Sequence, residues 1–121
     1  MNRFQKLFDA QKALFATGVT RSYEWRVEQL DRMARMINEN ERRFQEAIAK
    51  DFKTASQEFI FETQASTGET EVQKSQLKEW MKPVEAPVPG FLAKTGHKGM
   101  IYREPYGVAL IIGPSTDPCS C

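Results

Sequence analysis

Cysteine and histidine are scarce in this chain, which has two cysteines and one histidine among 121 residues. Cys119 and Cys121 are separated by one residue and have no other thiol with which to pair, which argues against a disulfide framework. Together with His97 they are too few for a zinc site with the usual number of ligands. We therefore expect neither a disulfide scaffold nor a metal site.

An excess of charge of one sign is also missing, since 17 Lys and Arg stand against 16 Asp and Glu. The net charge of +1 provides no long-range field for nucleic acid or an anionic membrane, so we expect neither as a partner. No apolar run approaches the roughly 20 residues that span a bilayer. The first residues lack the apolar core of a secretory signal, and we predict a cytoplasmic location.

Apolar residues recur at helical spacing through the first two thirds of the chain. Gly18 ends the first such segment, and Ser22 is a suitable N-cap for the second. Thr54 or Ser56 can cap the long helix that Pro83 ends. The pattern predicts helices over residues 3–15, 22–37, 41–50 and from about 58 to 81, although the polar stretch 63–74 leaves the register of the last one open.

Beyond the proline-rich connection the pattern changes to that of strands. Residues 99–104 read as a short strand, and 108–112 form a continuous, largely β-branched apolar run. Such a run is typical of a strand covered on both faces in a parallel sheet. A strand of that kind needs neighbours, which must come from later sequence or from another chain.

Four blocks, in order, resemble a known family. Residues 20–30 are similar to the "TRS-x-x-WR-x-x-QL" opening of class-3-type aldehyde dehydrogenases, and 39–51 match the following helix and its exit. Residues 80–83 resemble the end of the long helix in the coniferyl and fatty aldehyde dehydrogenase-like branch. Residues 104–114 resemble the "P-x-GV-x-LIIGPWNYP" strand and loop. The chain is thus similar to the N-terminal part of this family.

The resemblance implies an α/β parent fold with a Rossmann-like coenzyme domain, of which this piece is mainly helical with two short strands near its C-terminus. We divide it into a helical segment, 1–82, a Pro/Gly-rich connection, 83–98, the first strands of the coenzyme domain, 99–114, and an atypical tail, 115–121. The parent is expected to oxidise an aldehyde to a carboxylic acid through a cysteine thiohemiacetal, with NAD or NADP, as a homodimer.

By the same resemblance Ile112, Gly113 and Pro114 line the coenzyme cleft, although a Gly-Pro pair is also ordinary turn punctuation. Thr116 occupies the position of the family's oxyanion asparagine, and its shorter side chain would not reach the same point. Agreement is lost abruptly after Pro114. A changed reading frame, a gene disruption or a cloning junction would explain this loss, and we expect the tail to be non-native.

The family's catalytic cysteine, general-base glutamate and Gly-rich coenzyme turn lie downstream of the matched region. Cys119 and Cys121 are on the wrong element and have no base beside them, so we assign no catalytic residue. We expect this piece to be inactive alone and to bind no coenzyme. Two alternatives stay open: a freestanding helical interaction module, and a truncated chain that inserts into a full-length partner.

Single residues outside these blocks have simpler interpretations. Trp25 and Trp80 are expected as core or interface anchors, given their helical spacing. His97 has no carboxylate or serine near it in sequence and is expected to be a solvated loop residue. The charges between Arg21 and Arg43 alternate in sign, which is typical of a solvated helix face.

Overall fold

The computed structural model describes residues 3–51 and 56–112, with side chains outside 51–62. Helices dominate, and two three-residue strands follow them. The elements in chain order are α1 (Gln5–Ala16), a 3₁₀ turn (Val19–Arg21), α2 (Tyr23–Glu39), α3 (Glu41–Asp51), α4 (Ser56–Trp80), β1 (Val84–Ala86), α5 (Gly90–Ala93) and β2 (Gly99–Ile101).

The predicted helix boundaries are confirmed at three positions by their local hydrogen bonds. Gly18 adopts a φ of 77°, which a glycine tolerates without strain, and the chain turns there after α1. The Ser22 hydroxyl accepts a hydrogen bond from the backbone N–H of Trp25 at 3.2 Å and so caps α2. Asn40 separates α2 from α3, and its side-chain amide donates to the carbonyl of Met36. The long helix begins at Ser56, while Thr54, the other proposed cap, lies outside the described residues.

Packing between α2 and α4 forms the centre of the helical part. Ile37 on α2 is 5% exposed and is the buried apolar residue among those described. Among the described side chains of α4, the buried ones are polar: Thr63, Ser66 and Thr70, on one face of the helix. The Thr70 hydroxyl donates to the carbonyl of Thr67 at 2.7 Å, so its hydrogen-bonding need is met inside its own helix. The polar stretch whose register the sequence left open is therefore the packed face.

An ion pair continues the same interface toward the C-terminal end of α4. The Lys74 ammonium lies 2.7 Å from an Asp31 carboxylate oxygen on α2 and 3.0 Å from Glu71 on its own helix. Hydrogen bonds to Asp31 and then Glu71 raise the pKa of Lys74 above its ordinary value of 10.5. Apolar burial at Ile37 and this charge contact therefore hold the two helices together at separate points.

The strands form an antiparallel hairpin rather than part of a parallel sheet. Val84 pairs with Ile101 and Ala86 with Gly99. The predicted strand 99–104 is wrong in extent, since β2 ends at Ile101, and β1 lies within the stretch predicted as a Pro/Gly-rich connection. Gly99 permits the pairing, because a Cβ there would lie 3.0 Å from the Ala86 carbonyl oxygen. Three-residue strands carry too little alternation to be recognised in sequence.

Residues 108–112 form no strand in the described structure, and their pairing with strands from later sequence or from another chain stays a prediction. These residues have no strand partner among those described, and Leu110, Ile111 and Ile112 are 86%, 71% and 84% exposed. A strand exists only through hydrogen bonds to a neighbour. The sheet in the described residues consists of β1 and β2 and does not extend to residues 108–112. The apolar run therefore lies uncovered on the surface.

Candidate functional site

The structure separates Ile112 from the other residues that the sequence proposed for coenzyme binding. Ile112 is described, and it is exposed and outside any strand. Gly113 and Pro114 lie outside the described residues, as does Thr116 at the proposed oxyanion position. The tail cysteines lie there as well. A cleft of ligand size that involves the family blocks lies elsewhere in the described part of the chain.

That cleft is a groove of about 800 Å³ between α1, the start of α2, the end of α4 and residues 103–109. We call it the arginine groove. Its walls are mostly apolar and aromatic, with arginines at several points. The lining residues include Phe15, Thr20, Arg21, Trp25, Arg26, Trp80, Arg103, Glu104 and Gly107.

The helical wall of the groove is fixed by the turn that precedes α2. The Arg26 guanidinium donates from Nε to the backbone carbonyl of Thr20 at 3.0 Å and is partly buried. Because Ser22 caps α2, the residues at its first turn are held in place. The planar guanidinium of Arg26 is therefore held in one orientation.

The opposite wall is formed by the chain that leaves the hairpin. Arg103 donates from Nη1 to the backbone carbonyl of Trp80 at 3.2 Å, which ties this segment to the end of α4. Arg21 forms an ion pair with Glu104 at 3.1 Å, with side chains 59% and 66% exposed. An ion pair so exposed contributes little to stability, so it completes this wall of the groove without holding it rigidly.

Close approach of the backbone completes the groove floor near α1. Gly107 has a φ of 105°, a conformation that favours glycine, and a Cβ there would lie 3.6 Å from the Phe15 ring. The segment 103–109 therefore bends against α1 at the position where the family block places its Pro-x-Gly turn. Leu110, Ile111 and Ile112, which follow, are exposed.

The groove is cationic and contains one unsatisfied polar atom. Three arginines line it against one glutamate. The Thr20 hydroxyl is buried and has no hydrogen-bond partner among the described residues. Buried hydroxyls are normally paired, so this one marks a place where a further polar group is accommodated. The arrangement can bind an anion, but it holds no nucleophile with an adjacent base and so cannot perform covalent catalysis.

A second cavity, of about 510 Å³, lies beside the hairpin and is lined in part by Glu85, His97 and Lys98. His97 is exposed, as predicted. The Thr95 hydroxyl lies 2.8 Å from His97 Nδ1 and also donates to the Leu92 carbonyl at 2.8 Å. A hydroxyl has one proton, and a carbonyl only accepts, so His97 Nδ1 must donate to Thr95. His97 therefore does not act as a base on Thr95, and this pair is not a nucleophilic dyad.

The described residues do not fit a nicotinamide dinucleotide. The sequence contains no Gly-x-Gly-x-x-Gly turn, and the described strand that leads into a helix, β1, reaches the four-residue α5 through Pro87 and Pro89 instead of a glycine-rich turn. Ile112 does not line either cavity. No step of the chemistry is therefore assigned to a coenzyme on these residues.

The described residues form neither a metal-ligand cluster nor a membrane-spanning helix. No group of three or more metal-ligating side chains comes together in the part of the chain with described side chains. Within the same part, no helix combines the length and the apolar character needed to cross a membrane. The arginine groove is therefore the candidate site.

Sequence reasoning did not find this groove, although it had singled out two of its parts. Trp25 and Trp80 were predicted as core or interface anchors; both line the groove, and Trp80 is 45% exposed. The arginines of the "TRS-x-x-WR" block were treated as a family signature and a solvated face. The available signal was Arg26 beside Trp25 in one block and Arg103 immediately before another, but only the fold shows that these segments meet.

Comparison with known proteins finds relatives that share one family name. No family model matches it. It is 36% identical over 109 residues to aldehyde dehydrogenase family 3 member I1, chloroplastic, of Arabidopsis thaliana, covering 88% of this chain and 19% of the relative. It is 35% identical over 105 residues to aldehyde dehydrogenase family 3 member B1 of Homo sapiens, covering 86% and 22%.

A bacterial relative extends the similarity over almost the whole chain. The chain is 31% identical over 119 residues to 4,4'-diaponeurosporen-aldehyde dehydrogenase of Staphylococcus aureus, covering 98% of this chain and 26% of that protein. The chain thus spans about a fifth to a quarter of the length of the curated relatives that it matches. The resemblance inferred from the four sequence blocks is confirmed: the chain is similar, over nearly its whole length, to a segment of class-3-type aldehyde dehydrogenases.

Proposed function

We propose that this chain is the helical opening of an NAD(P)-dependent aldehyde dehydrogenase whose complete form oxidises an aldehyde to a carboxylic acid through a cysteine thiohemiacetal. The observation that carries the proposal is similarity of 31 to 36% to three aldehyde dehydrogenases over 86 to 98% of the chain. The Rossmann-like coenzyme domain of the parent is part of the proposal.

The uncovered apolar run supports a segment over a freestanding helical module. Val108–Ile112 has the composition of a strand covered on both faces, yet residues 110–112 are exposed. A self-sufficient module would be expected to bury or pair such a run, because an exposed strand edge promotes aggregation. In the proposed parent this run joins the sheet of the coenzyme domain.

We expect the 121-residue chain to be inactive by itself. Its two cysteines are both in the tail, and no thiol lines the groove. Thr116 in place of the family's oxyanion asparagine removes a donor whose loss typically costs on the order of 2.7–4 kcal/mol in the transition state. We also expect residues 115–121 to be non-native, and the domain limits 1–82, 83–98 and 99–114 to apply to the parent.

Other features of the parent stay predictions for this chain. A homodimer and a cytoplasmic location are expected from the resemblance and from the sequence, respectively. The printed name of the Arabidopsis relative assigns that protein to the chloroplast, so compartment differs from the prediction for at least one family member. Aldehyde substrates are proposed for the parent alone.

The proposal is tested by sequencing the gene through codon 112 and beyond, followed by an activity assay. We expect an aldehyde dehydrogenase frame to resume with a Gly-rich turn and a catalytic cysteine. The protein encoded by the restored frame should reduce NAD or NADP in the presence of an aldehyde, whereas the 121-residue chain should not. A native stop without any downstream remnant, or a restored protein without aldehyde-dependent reduction, would contradict the proposal.

A further inference from the structure

We propose that the arginine groove binds a small amphipathic carboxylate, with the carboxylate among the arginines and the apolar body against the tryptophans. The proposal concerns a site distinct from any residue that the sequence assigned to coenzyme or catalysis. It rests on the size, lining and charge of the groove, together with one orphaned hydroxyl.

Size and lining fit a small molecule. The groove volume of about 800 Å³ lies within the range of roughly 300–1,000 Å³ typical of ligand clefts. Phe15, Trp25 and Trp80 provide aromatic surface, while Leu14 and Leu77 extend the apolar wall. Apolar walls with a few polar groups are the usual composition of such a cleft. An apolar body of several carbons can be accommodated there.

The charge of the groove selects an anion. Arg26 and Arg103 each donate one hydrogen bond to a backbone carbonyl, which orients the guanidinium, and each has five N–H donors in all. A planar guanidinium matches the two oxygens of a carboxylate, so a bidentate contact is favoured over a point-charge contact. Because these guanidinium groups are oriented before binding, little side-chain freedom is lost when the anion arrives.

The Glu104 carboxylate would compete with a ligand carboxylate for Arg21. Its carboxylate pairs with Arg21 at 3.1 Å, and both side chains are more than half exposed. An exposed ion pair of this kind exchanges partners at low cost. A ligand carboxylate can therefore take over Arg21, and removing the charge of Glu104 should strengthen ligand binding.

The Thr20 hydroxyl provides the second polar requirement. It is buried, lines the groove and has no partner among the described residues, while the carbonyl of the same residue accepts from Arg26. A carboxylate oxygen close to Arg26 is near the hydroxyl donor as well. Binding would thus pair a group that otherwise remains unsatisfied.

Tryptophan fluorescence tests the proposal directly, because the two tryptophans of the chain both line the groove. The probe is octanoate, titrated into the purified chain, with 1-octanol and octylammonium as matched probes of the same length. We expect a saturable change in emission with octanoate and affinities at least roughly tenfold lower for the other two. Contacts between the octanoate chain and the indole protons should appear in NMR spectra.

Variants assign the effect to the groove. Arg26→Gln and Arg103→Gln should each weaken octanoate binding roughly tenfold, whereas Glu104→Gln should tighten it. Arg42→Gln is the matched control, since Arg42 pairs with Glu46 on α3 and does not line the groove. If either Arg→Gln chain loses its helical circular dichroism, the corresponding Arg→Lys variant keeps the charge and removes the fork.

Three outcomes would overturn the proposal. Equal affinity for octanoate and 1-octanol would show general apolar adsorption without a carboxylate site. Weakening by Arg42→Gln as large as that by Arg103→Gln would place binding outside the groove. No response to octanoate, combined with self-association that the groove variants abolish, would make the groove a polypeptide contact instead.

Discussion

The ammonium of Lys74 on α4 lies 2.7 Å from a carboxylate oxygen of Asp31 on α2, which makes it a charged connection between the two helices at the centre of the fold. Glu71 adds a second carboxylate within α4. Among the described side chains of α4, the buried ones all bear hydroxyl groups, and this ion pair adds a directional contact to α2.

Removing that contact should destabilise the chain slightly and change its response to alkaline pH. Hydrogen bonds to Asp31 and Glu71 raise the folded-state pKa of Lys74 above 10.5. The contribution is therefore fully present below pH 10.5 and is lost as the pH rises through the folded-state pKa. Asp31→Asn should lower the thermal midpoint at neutral pH and reduce the loss of stability in that alkaline window.

Thermal unfolding followed by circular dichroism at neutral and alkaline pH measures both effects. Glu28→Gln is a suitable control, because Glu28 pairs with Arg32 within α2 only. An Asp31→Asn chain with the wild-type alkaline profile would rule out the interhelical role.

Truncation of Ile37 should have the largest effect of any single apolar change in the α2–α4 interface. Its side chain is 5% exposed, whereas neighbouring Met36 is 50% exposed. Ile37→Ala should lower the free energy of unfolding by about 2 kcal/mol or more, from lost burial and the cavity left behind. Urea denaturation of Ile37→Ala and of the control Met36→Ala provides the comparison; equal losses would mean that Ile37 is not the core residue.

Loss of the Ser22 cap should weaken the start of α2 and, with it, the helical wall of the arginine groove. The hydroxyl satisfies the Trp25 N–H, and replacing such a cap with alanine typically costs about 1 kcal/mol. Ser22→Ala should therefore lower the urea midpoint, while Ser22→Asp, which retains a capping oxygen, should not. A midpoint for Ser22→Asp as low as that for Ser22→Ala would refute the capping role.

The neutral His97 ring should carry its proton on Nδ1. The reason is geometric, since the Thr95 hydroxyl donates its proton to the Leu92 carbonyl and can only accept from the ring. Nitrogen-15 NMR of the imidazole, recorded where the ring is neutral, distinguishes the two tautomers. Thr95→Val should shift the population away from Nδ1–H; an unchanged tautomer ratio in that variant would contradict the assignment.

A charge in the uncovered apolar run should reduce self-association of the isolated chain. Leu110 is 86% exposed in a run with strand composition, and a lysine in such a run opposes edge-to-edge pairing. Light scattering at rising protein concentration should show less aggregation for Leu110→Lys than for wild type. Gln73→Lys adds the same charge on α4, and if it reduced aggregation equally, net charge and not the run would be responsible.

Features that depend on neighbours in sequence could be predicted, and features that depend on distant segments could not. Gly18, Ser22 and Asn40 act through bonds to residues within one helical turn, so their roles follow from residue type and spacing. The packed face of α4 was missed because helical patterns are recognised by apolar periodicity, and its buried members include Thr63 and Thr70.

The strands and the groove show the other limit. Residues 108–112 have the composition of a strand, but composition supplies no hydrogen-bonding neighbour, whereas the short β1 has a neighbour and little pattern. In the groove, Arg21 meets Glu104 and Arg103 meets the carbonyl of Trp80. These contacts depend on where α4 ends and on the direction in which the chain leaves β2. Neither follows from the residues next to each arginine in sequence.

That return has a consequence for how the chain can vary. The hydrogen bond from Arg103 to the Trp80 carbonyl brings together the two ends of the excursion that contains β1, α5 and β2. The excursion is therefore a closed surface loop, and the free energy of closing such a loop changes only slowly with its length. Insertions or deletions between β1 and β2 can be absorbed there, so this is where length differences among related chains should accumulate without moving the walls of the arginine groove.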